Sequence, residues 1–427
     1  MDSGERVVML CKGRYPAGLF SFDEGLWNDE GVKQAADTGA DFFIAKSSEQ
    51  LITLCGKYSL GIISSSNITP FWWGGDGKNA GDYAKQFPLE RLDKVDNYPS
   101  SSVLWGDYLV DEPNSKDFAH IGKVIQRYRQ RFPDKIPFIN LYPNYGRIHG
   151  NSDEEIVAQL GNTTYPEHID QYVRSIDLPY ICFDYYPFTG AFDTYLENLD
   201  IAAKAGKKSN KEMWVIIQAG AWKRDEILDA YQIDWQVYMC LAYGAKAIIF
   251  ASYSKTWWDE TSSCVNTRGE KNKTYEYVSD ICSVLHSELG TEFLKYQYQY
   301  TRVYGDVSSA DKRIQPQLDK QNNYLIPPDL PNVKITSDRA VIAGFFRNNE
   351  SHDNDRHGND RHALMIVNTH NPFDSSITAN VKIETGRSKE ICIHGGKKII
   401  ASVRSVNGNT VAELIIPGGQ GVFVSLF

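Results

Sequence analysis

The stretch VLWGDYLVDEP, residues 103–113, carries a short apolar run directly into two adjacent acids and a proline. Its apolar part is continuous rather than alternating, which is typical of a parallel β-strand covered on both faces. Burying two neighbouring carboxylates at the end of such a strand is energetically costly. Such a pair is therefore expected mainly where a function requires it. Asp111 and Glu112 are therefore the first candidates for a functional site.

Seven further apolar runs recur along the first two thirds of the chain, with helix-like segments between them. They are AGLFSF (17–22), DFFIA (41–45), LGIISSS (60–66), PFINLY (137–142), YICFDYY (180–186), MWVIIQAG (213–220) and AIIFASY (247–253). Eight strands alternating with helices predict an α/β fold, a (β/α)8 TIM barrel. The alternative is an open doubly wound sheet, but no GxGxxG or GxxxxGK[ST] follows any of these strands, so a nucleotide site is not expected.

The sequence pattern changes near residue 300. From there on, short apolar runs alternate with turn residues. This pattern predicts a small C-terminal antiparallel β-sandwich. We predict a catalytic barrel at 1–305, a connection at 306–334 and the sandwich at 335–427. The segment HDNDRHGNDRH (352–362) could suggest a metal site, but neither NDRH repeat supplies a compact tetrahedral set, so we predict a solvated hairpin tip and no metal.

Composition and charge narrow the classes of partner. The net charge of -9 argues against nucleic acid and suits a neutral substrate. Aromatic residues make up 12% of the chain, and flat apolar rings pack well against the C–H faces of sugars. We therefore expect an oligosaccharide or polysaccharide as the partner, with no cofactor. The oligomeric state is left open.

The sequence also bears on location. No apolar run is long enough for a membrane span, and the start, MDSGERVVML, lacks the features of a signal peptide. The expected location is extracellular or periplasmic if a signal was removed, and cytoplasmic otherwise. Seven cysteines without a CxxC spacing predict reduced, structural thiols.

Chemistry in such barrels is carried by the carboxyl ends of the strands. Strand four ends in Asp111 and Glu112. The other strand ends and the loops after them supply a third acid with amides and aromatic residues: Trp72, Trp73, Asn140, Tyr142, Asp184, Tyr186, Gln218, Trp222, Tyr253 and Trp257. Glycoside hydrolysis uses a pair of carboxyl groups, of which one is protonated and the other is ionised. Packing or hydrogen-bonding roles at the rim are the alternative for each of these residues.

The strand-four ending YLVDEP (108–113) resembles the Asn-Glu-Pro signature of retaining glycoside hydrolases with a (β/α)8 barrel, the clan that includes β-galactosidases and many β-glycanases. The resemblance implies that Glu112 is the acid/base. The order LVDEP, FINLYP, FDYYPF, WVIIQAG and LAYGAKAIIFASY, followed by a β-sandwich, also resembles bacterial, often gut-associated, glycosidase-like barrel proteins.

The sequence departs from this clan at strand seven. The clan places its nucleophilic Glu there, and this chain has Gln218, whose amide cannot serve as such a nucleophile. Asp184, at the end of strand six, is the best-placed remaining carboxylate, and acids on strands four and six are the arrangement of α-galactosidase-like barrels. Glu24, and Asp259 or Glu260 after strand eight, could also enter the site.

These observations predict a glycoside hydrolase that cleaves an O-glycosidic bond of an oligo- or polysaccharide. Glu112 would be the general acid/base, Asp184 the nucleophile or base, and Asp111 an orienting residue or alternate acid. Asn140, Tyr142, Tyr186, Gln218 and Tyr253 would bind the substrate, with the tryptophans as a sugar platform. The alternatives are a carbohydrate-binding barrel that has lost hydrolysis and a barrel enzyme acting on something other than sugar.

Overall fold

The structure is a computed structural model. It describes residues 7, 9–68, 80–95, 98–147, 152–221, 226–255, 262–322, 330, 332–348, 361–386, 390–396 and 398–427. Within these residues, no helix combines the length and the apolar character needed to cross a membrane.

The predicted barrel is confirmed. Its strands are β1 (Ala17–Phe20), β2 (Phe42–Ala45), β3 (Gly61–Ser64), β4 (Leu104–Asp111), β5 (Ile136–Asn140), β6 (Tyr180–Tyr185), β7 (Glu212–Gln218) and β8 (Ala245–Ala251). They form one sheet in the order β5-β4-β3-β2-β1-β8-β7-β6. The two end strands meet through a parallel bridge between Leu141 and Phe183, so the barrel is nearly closed.

Helices alternate with the strands as the sequence predicts. They are α1 (Asp29–Ala36), α2 (Glu49–Tyr58), α3 (Tyr83–Gln86), α4 (Glu90–Asp93), α5 (Phe118–Arg131), α6 (Asp153–Leu160), α7 (Tyr165–Ser175), α8 (Tyr195–Ser209), α9 (Ala230–Ala242), α10 (Lys273–Leu285), α11 (Glu288–Leu294) and α12 (Gln315–Asn322). Several begin at capping side chains: Ser48 accepts a hydrogen bond from the N–H of Leu51, and Thr164 forms a capping box with Glu167. Such caps satisfy N–H groups that a helix leaves open at its start.

The C-terminal strands form the predicted antiparallel sandwich. They are β9 (Tyr296–Tyr304), β10 (Val333–Ser337), β11 (Val341–Asn348), β12 (His362–Asn368), β13 (Ala379–Thr385), β14 (Ile391–Gly395), β15 (Ile400–Val406), β16 (Asn409–Ile416) and β17 (Gly421–Leu426). One sheet has the order β10-β13-β16-β15 and the other β14-β17-β12-β11-β9. Alternate residues of both sheets, among them Phe345, Leu364 and Leu414, form a common apolar core.

Two compact units divide the chain. The first comprises Met1–Thr194, Lys204–Ile227 and Ala247–Cys282, and the second Tyr195–Ala203, Leu228–Lys246 and Ser283–Phe427. Within the second unit, helix α9 contacts the sandwich, since Nε1 of Trp235 donates to Oγ1 of Thr369 at 3.2 Å. The predicted domain boundaries at 305 and 335 stay a prediction.

Candidate active site

The carboxyl end of β4 contains a β-bulge that sets the direction of its acids. The register of β4 against β5 skips one residue between Tyr108 and Val110, so Leu109 is extra. Strict alternation would direct Tyr108 and Asp111 to opposite faces of the sheet, whereas a bulge between them returns both to one face. The Tyr108 ring meets Phe20 of β1 across the barrel, with centroids 6.2 Å apart, and its hydroxyl donates a hydrogen bond to Asp111.

Asn140, the last residue of β5, lies between two carboxylates. Its Nδ2 donates to Oδ1 of Asp184 at 2.7 Å and to Oδ1 of Asp111 at 3.4 Å. Because both oxygens contact one nitrogen, their separation cannot exceed these two distances taken together. Strands β4, β5 and β6 therefore bring Asp111, Asn140 and Asp184 together, and we call these three residues the carboxylate cluster.

Burial and mutual repulsion raise the pKa values in the carboxylate cluster. Asp184 is 5% exposed, and burial, together with the neighbouring charge of Asp111, raises its pKa to about 7. Burial also raises the pKa of Asp111, against opposing hydrogen bonds from Tyr108 and Asn140. Two carboxylates this close do not both ionise readily. The pair therefore retains a proton as the pH approaches neutrality.

Glu112 follows β4 in a backbone conformation that few side chains adopt. Its φ is +43°, in the left-handed region that favours glycine, and strain of this kind is concentrated at functional sites. Its backbone N–H donates to the carbonyl oxygen of Asn140 at 2.8 Å, which fixes the residue beside the carboxylate cluster. The end of β4 thus contributes Asp111 and Glu112 to the same edge of the barrel.

The charges of all three predicted acids affect the pKa of Tyr142. Burial raises the pKa of its hydroxyl, and the charges of Glu112, Asp184 and Asp111 raise that pKa further, in this order. Since such interactions fall off with distance, all three acids lie within electrostatic range of this phenol. The grouping of Tyr142 with the three acids in one functional site stays a prediction.

Two more tyrosines enclose this site. Tyr186 is 6% exposed, and its hydrogen bond to Asp184 opposes the rise in the pKa of that carboxyl. The ring of Tyr145 lies 6.2 Å from that of Tyr142 and 5.0 Å from that of Tyr185, centroid to centroid. Burial and the charge of Asp184 raise the pKa of Tyr145.

Gln218 ends β7 and is fully buried. Its Oε1 accepts a hydrogen bond from the backbone N–H of Phe188 at 2.8 Å, and its Nε2 donates to the carbonyl oxygen of Gly220 at 2.9 Å. Both polar atoms of the amide thus contact the backbone of neighbouring loops. This arrangement supports the loop after β6, and the role of Gln218 in binding a substrate stays a prediction.

The remaining predicted residues are Tyr253 and several positions that the structure does not describe. Tyr253 is fully buried, and its ring lies against those of Phe22 and Phe43, with centroids 5.7 and 6.0 Å away, respectively. The following predicted residues fall outside the described part of the chain: Trp72, Trp73, Trp222, Trp257, Asp259 and Glu260. The sugar platform therefore stays a prediction.

Within the described residues, no group of three or more His, Cys, Asp or Glu side chains could hold a metal ion. Residues 352–360 of the histidine-rich segment are not among them, whereas His362 begins β12. The seven cysteines all lie in described positions and are free, six of them buried. The polar groups that the carboxyl ends of β4, β5 and β6 bring together are carboxylates, an amide and phenols.

Sequence reasoning missed two residues of the site. Tyr108 was counted as part of a buried strand, because an apolar run gives no sign of a bulge. Tyr145 follows Tyr142 in the segment YPNYG, within a 3-10 helix at Asn144–Arg147. The signal available for Tyr145 was an aromatic residue in the loop after a barrel strand, the place where barrel sites are built.

No protein-family model matches the sequence, and no curated protein matches it. Among solved structures, one described as a glycoside hydrolase is 9% identical with a TM-score of 0.51, covering 96% of this chain and 92% of that one. A glucosidase from Croceicoccus marinus is 8% identical with a TM-score of 0.43, covering 97% and 96%. An endo-1,4-beta-xylanase from Caldicellulosiruptor owensensis is 12% identical with a TM-score of 0.40, covering 64% and 99%. At such identities, the first of these likenesses shows a shared fold.

Proposed function

We propose that this chain is a glycoside hydrolase that cleaves an O-glycosidic bond of a neutral oligo- or polysaccharide. The observation that carries the proposal is the shared amide of Asn140, which holds the carboxyls of Asp111 and Asp184 together beside Glu112. Two-carboxylate hydrolysis needs one protonated and one ionised group. The fold shared with a glycoside hydrolase of 9% identity is consistent with this assignment.

The raised pKa of Asp184 supports a division of roles that differs from the one predicted from sequence. With a pKa of about 7, Asp184 carries a proton in much of the neutral range, so we assign it as the general acid. Glu112 is then the second reacting carboxylate. Asp111, which accepts hydrogen bonds from Tyr108 and Asn140, positions Asp184 and sets its proton affinity.

In the proposed reaction, the carboxyl proton of Asp184 moves to the glycosidic oxygen as the bond from that oxygen to the anomeric carbon breaks. Glu112 attacks the anomeric carbon, or removes a proton from a water that attacks it. Attack by Glu112 forms a glycosyl-enzyme ester, which water then hydrolyses as Asp184 takes back a proton, so the anomeric configuration is retained. Activation of water by Glu112 inverts it.

A carbohydrate-binding barrel without hydrolysis is the second candidate. It is favoured by Gln218, which stands where the resembling clan has its nucleophile and uses both polar atoms on backbone groups. The two candidates differ in one respect that can be measured. An enzyme requires the acids for turnover, whereas a binding protein binds sugar and shows no turnover.

The test measures hydrolysis of 2,4-dinitrophenyl and 4-methylphenyl glycosides of glucose, galactose, xylose, mannose and fucose, in both anomeric forms. Asp184→Asn should lower kcat/KM about 10²- to 10⁴-fold for the poor leaving group and much less for the good one, because only the poor one needs the proton. Glu112→Gln should lower turnover of both substrates. Asp177→Asn and Glu30→Gln, exposed positions, are the matched controls.

The proposal fails if no glycoside in this panel is hydrolysed above the uncatalysed rate by the parent protein. It fails equally if Asp184→Asn and Glu112→Gln turn over both leaving groups as fast as the two control variants. Binding of a sugar without any turnover would establish the binding-protein candidate instead.

A further inference from the structure

A cavity of about 420 Å³ lies at the carboxyl ends of the first barrel strands. It is lined by Phe20, the last residue of β1, by Ile44 of β2 and by Tyr108 of β4. Its size lies within the range of small-molecule sites, about 300–1,000 Å³. Through the hydroxyl of Tyr108, which donates to Asp111, the cavity adjoins the carboxylate cluster.

The wall of this cavity combines apolar and charged groups in a way that suits a sugar. Phe20 and Tyr108 supply flat apolar surfaces. At the rim, Nζ of Lys46 and Oε1 of Glu24 form an ion pair at 2.8 Å. Both side chains are mostly exposed, at 65% and 60%, so a ligand can reach them. An ammonium that donates and a carboxylate that accepts can together bind vicinal hydroxyl groups.

The backbone of the cavity wall is strained at Ser21. This residue has a φ of +67°, a conformation rare outside glycine and concentrated at functional sites. At Ser59 and Asn210 a positive φ has an ordinary explanation, because these residues cap the C-terminal ends of helices α2 and α8.

The charges lining the cavity are balanced. Lys46 and Lys255 are matched by Asp23 and Glu24. An anionic sugar would meet no excess of positive charge here, whereas hydroxyl groups would find both donors and acceptors. The cavity therefore fits a neutral pyranose better than a uronic acid or a sulfated sugar.

We propose that this cavity is a binding subsite for one neutral pyranose unit of an oligosaccharide, with Phe20 under the ring and Lys46 and Glu24 on its hydroxyls. A chain lying across the barrel mouth would place a neighbouring linkage over the carboxylate cluster. In naming the substrate class, the inference rests on the proposed function. Its test, however, is a binding measurement, which does not depend on turnover.

The subsite can be tested by isothermal titration calorimetry with five tetrasaccharides: cellotetraose, xylotetraose, mannotetraose, galactotetraose and tetragalacturonate. The parent protein should bind at least one neutral tetrasaccharide and should not bind tetragalacturonate. Lys46→Met and Glu24→Gln should each weaken that binding about 10- to 100-fold, the effect of losing a hydrogen bond to a charged group. Lys33→Met removes a comparable exposed ion pair, which joins Lys33 of α1 to Asp37 just after that helix, and should leave affinity unchanged.

Three results would overturn the subsite: no neutral tetrasaccharide binds, tetragalacturonate binds in preference, or the two rim variants bind as tightly as Lys33→Met. A protein that binds as proposed but hydrolyses nothing would overturn the proposed function and leave the subsite standing. A hydrolase whose affinity is insensitive to Lys46 and Glu24 would do the reverse.

Discussion

Two aspartates of β4, buried Asp107 on the outer side and half-buried Asp111 on the inner side, lie in contrasting surroundings. On the outer side, Oδ2 of Asp107 accepts hydrogen bonds from the hydroxyls of Tyr98 and Tyr128, both at 2.6 Å. On the inner side, Asp111 shares the amide of Asn140 with a second carboxylate. Burial raises the pKa at both positions, to about 6 for Asp107.

The two sides of β4 show separately how burial and a neighbouring charge affect the pKa of a carboxyl group. Asp107 accepts hydrogen bonds from two tyrosine hydroxyls, so its contacts have a structural role. Asp111 lies beside Asp184, so the protonation of either carboxyl changes the proton affinity of the other. A raised pKa is therefore a poor marker of function by itself. The neighbouring carboxylate at the barrel mouth is what distinguishes the inner side.

Among the residues that position the proposed catalytic acids, Asn140 should have the largest effect on activity when it is replaced by alanine. Without the amide, the carboxyls of Asp111 and Asp184 lose the donor that they share, and misplacement of reacting groups costs about 10²-fold. We expect kcat/KM to fall at least that far on the best aryl glycoside. Asn114→Ala is the control, because that buried amide bridges the carbonyls of Ala158 and Gln159. It should lose stability and keep turnover. Equal turnover in the two variants would remove the cluster from the mechanism.

A smaller loss, about 10-fold at pH 7, is expected from Asp111→Asn. Removing its charge removes one of the causes that raise the pKa of Asp184. A general acid works only while protonated, so kcat/KM falls as the pH rises through its pKa. The alkaline limb of the pH profile should therefore move to lower pH in the variant. A limb that stays in place would show that Asp111 does not act on the catalytic acid.

Tyr108→Phe should have a still smaller effect. It removes the hydrogen bond that opposes the rise in the pKa of Asp111. One such bond is worth about 0.5–1.5 kcal/mol in stability. Because Asn140 still donates to Asp111 in the variant, we expect kcat/KM to fall by less than about 10-fold. Steady-state kinetics on the same glycoside measures it, with Tyr128→Phe on the outer side as the control expected to keep activity. Greater loss in Tyr128→Phe would reverse the comparison.

Asp107→Asn should change activity least and instead alter how stability depends on pH. The folded-state pKa of Asp107, about 6, lies above its unfolded value, so the folded state binds more protons between the two. Its contribution to stability is therefore lost as the pH rises from about 4 to about 6, by up to ~1.4 kcal/mol per pH unit. Urea unfolding from pH 4 to 8 should show a flatter decline in the variant. An unchanged decline would contradict the assignment.

Much of the fold could be predicted from sequence because buried parallel strands have continuous apolar runs. The same reasoning predicted that Asp111, Glu112, Asn140 and Asp184 lie at one edge of the barrel, since the carboxyl ends of barrel strands meet there. Their place in an active site stays a prediction. It could not find the bulge at Leu109. A single extra residue changes the side to which every later side chain points, and its position depends on pairing with β5.

The roles of the acids were harder to predict than their positions. The sequence favoured Glu112 as proton donor by resemblance, whereas the proton affinity of Asp184 depends on burial and on Asp111, which comes from another strand. Gln218 was expected to bind hydroxyls, but whether its amide contacts ligand or backbone is decided by loop geometry. The pKa of Asp184 and the contacts of Gln218 both depend on how segments distant in sequence pack together in the fold.

The most direct test of the account is a titration of the Asp184 carboxyl by carbon-13 NMR, with labelled aspartate and assignment by Asp184→Asn. The account predicts a midpoint near pH 7 in the parent protein and a lower midpoint in Asp111→Asn. A midpoint near the ordinary aspartate value of about 3.9, unaffected by Asp111→Asn, would contradict the central claim that these two carboxyls share a proton at the barrel mouth.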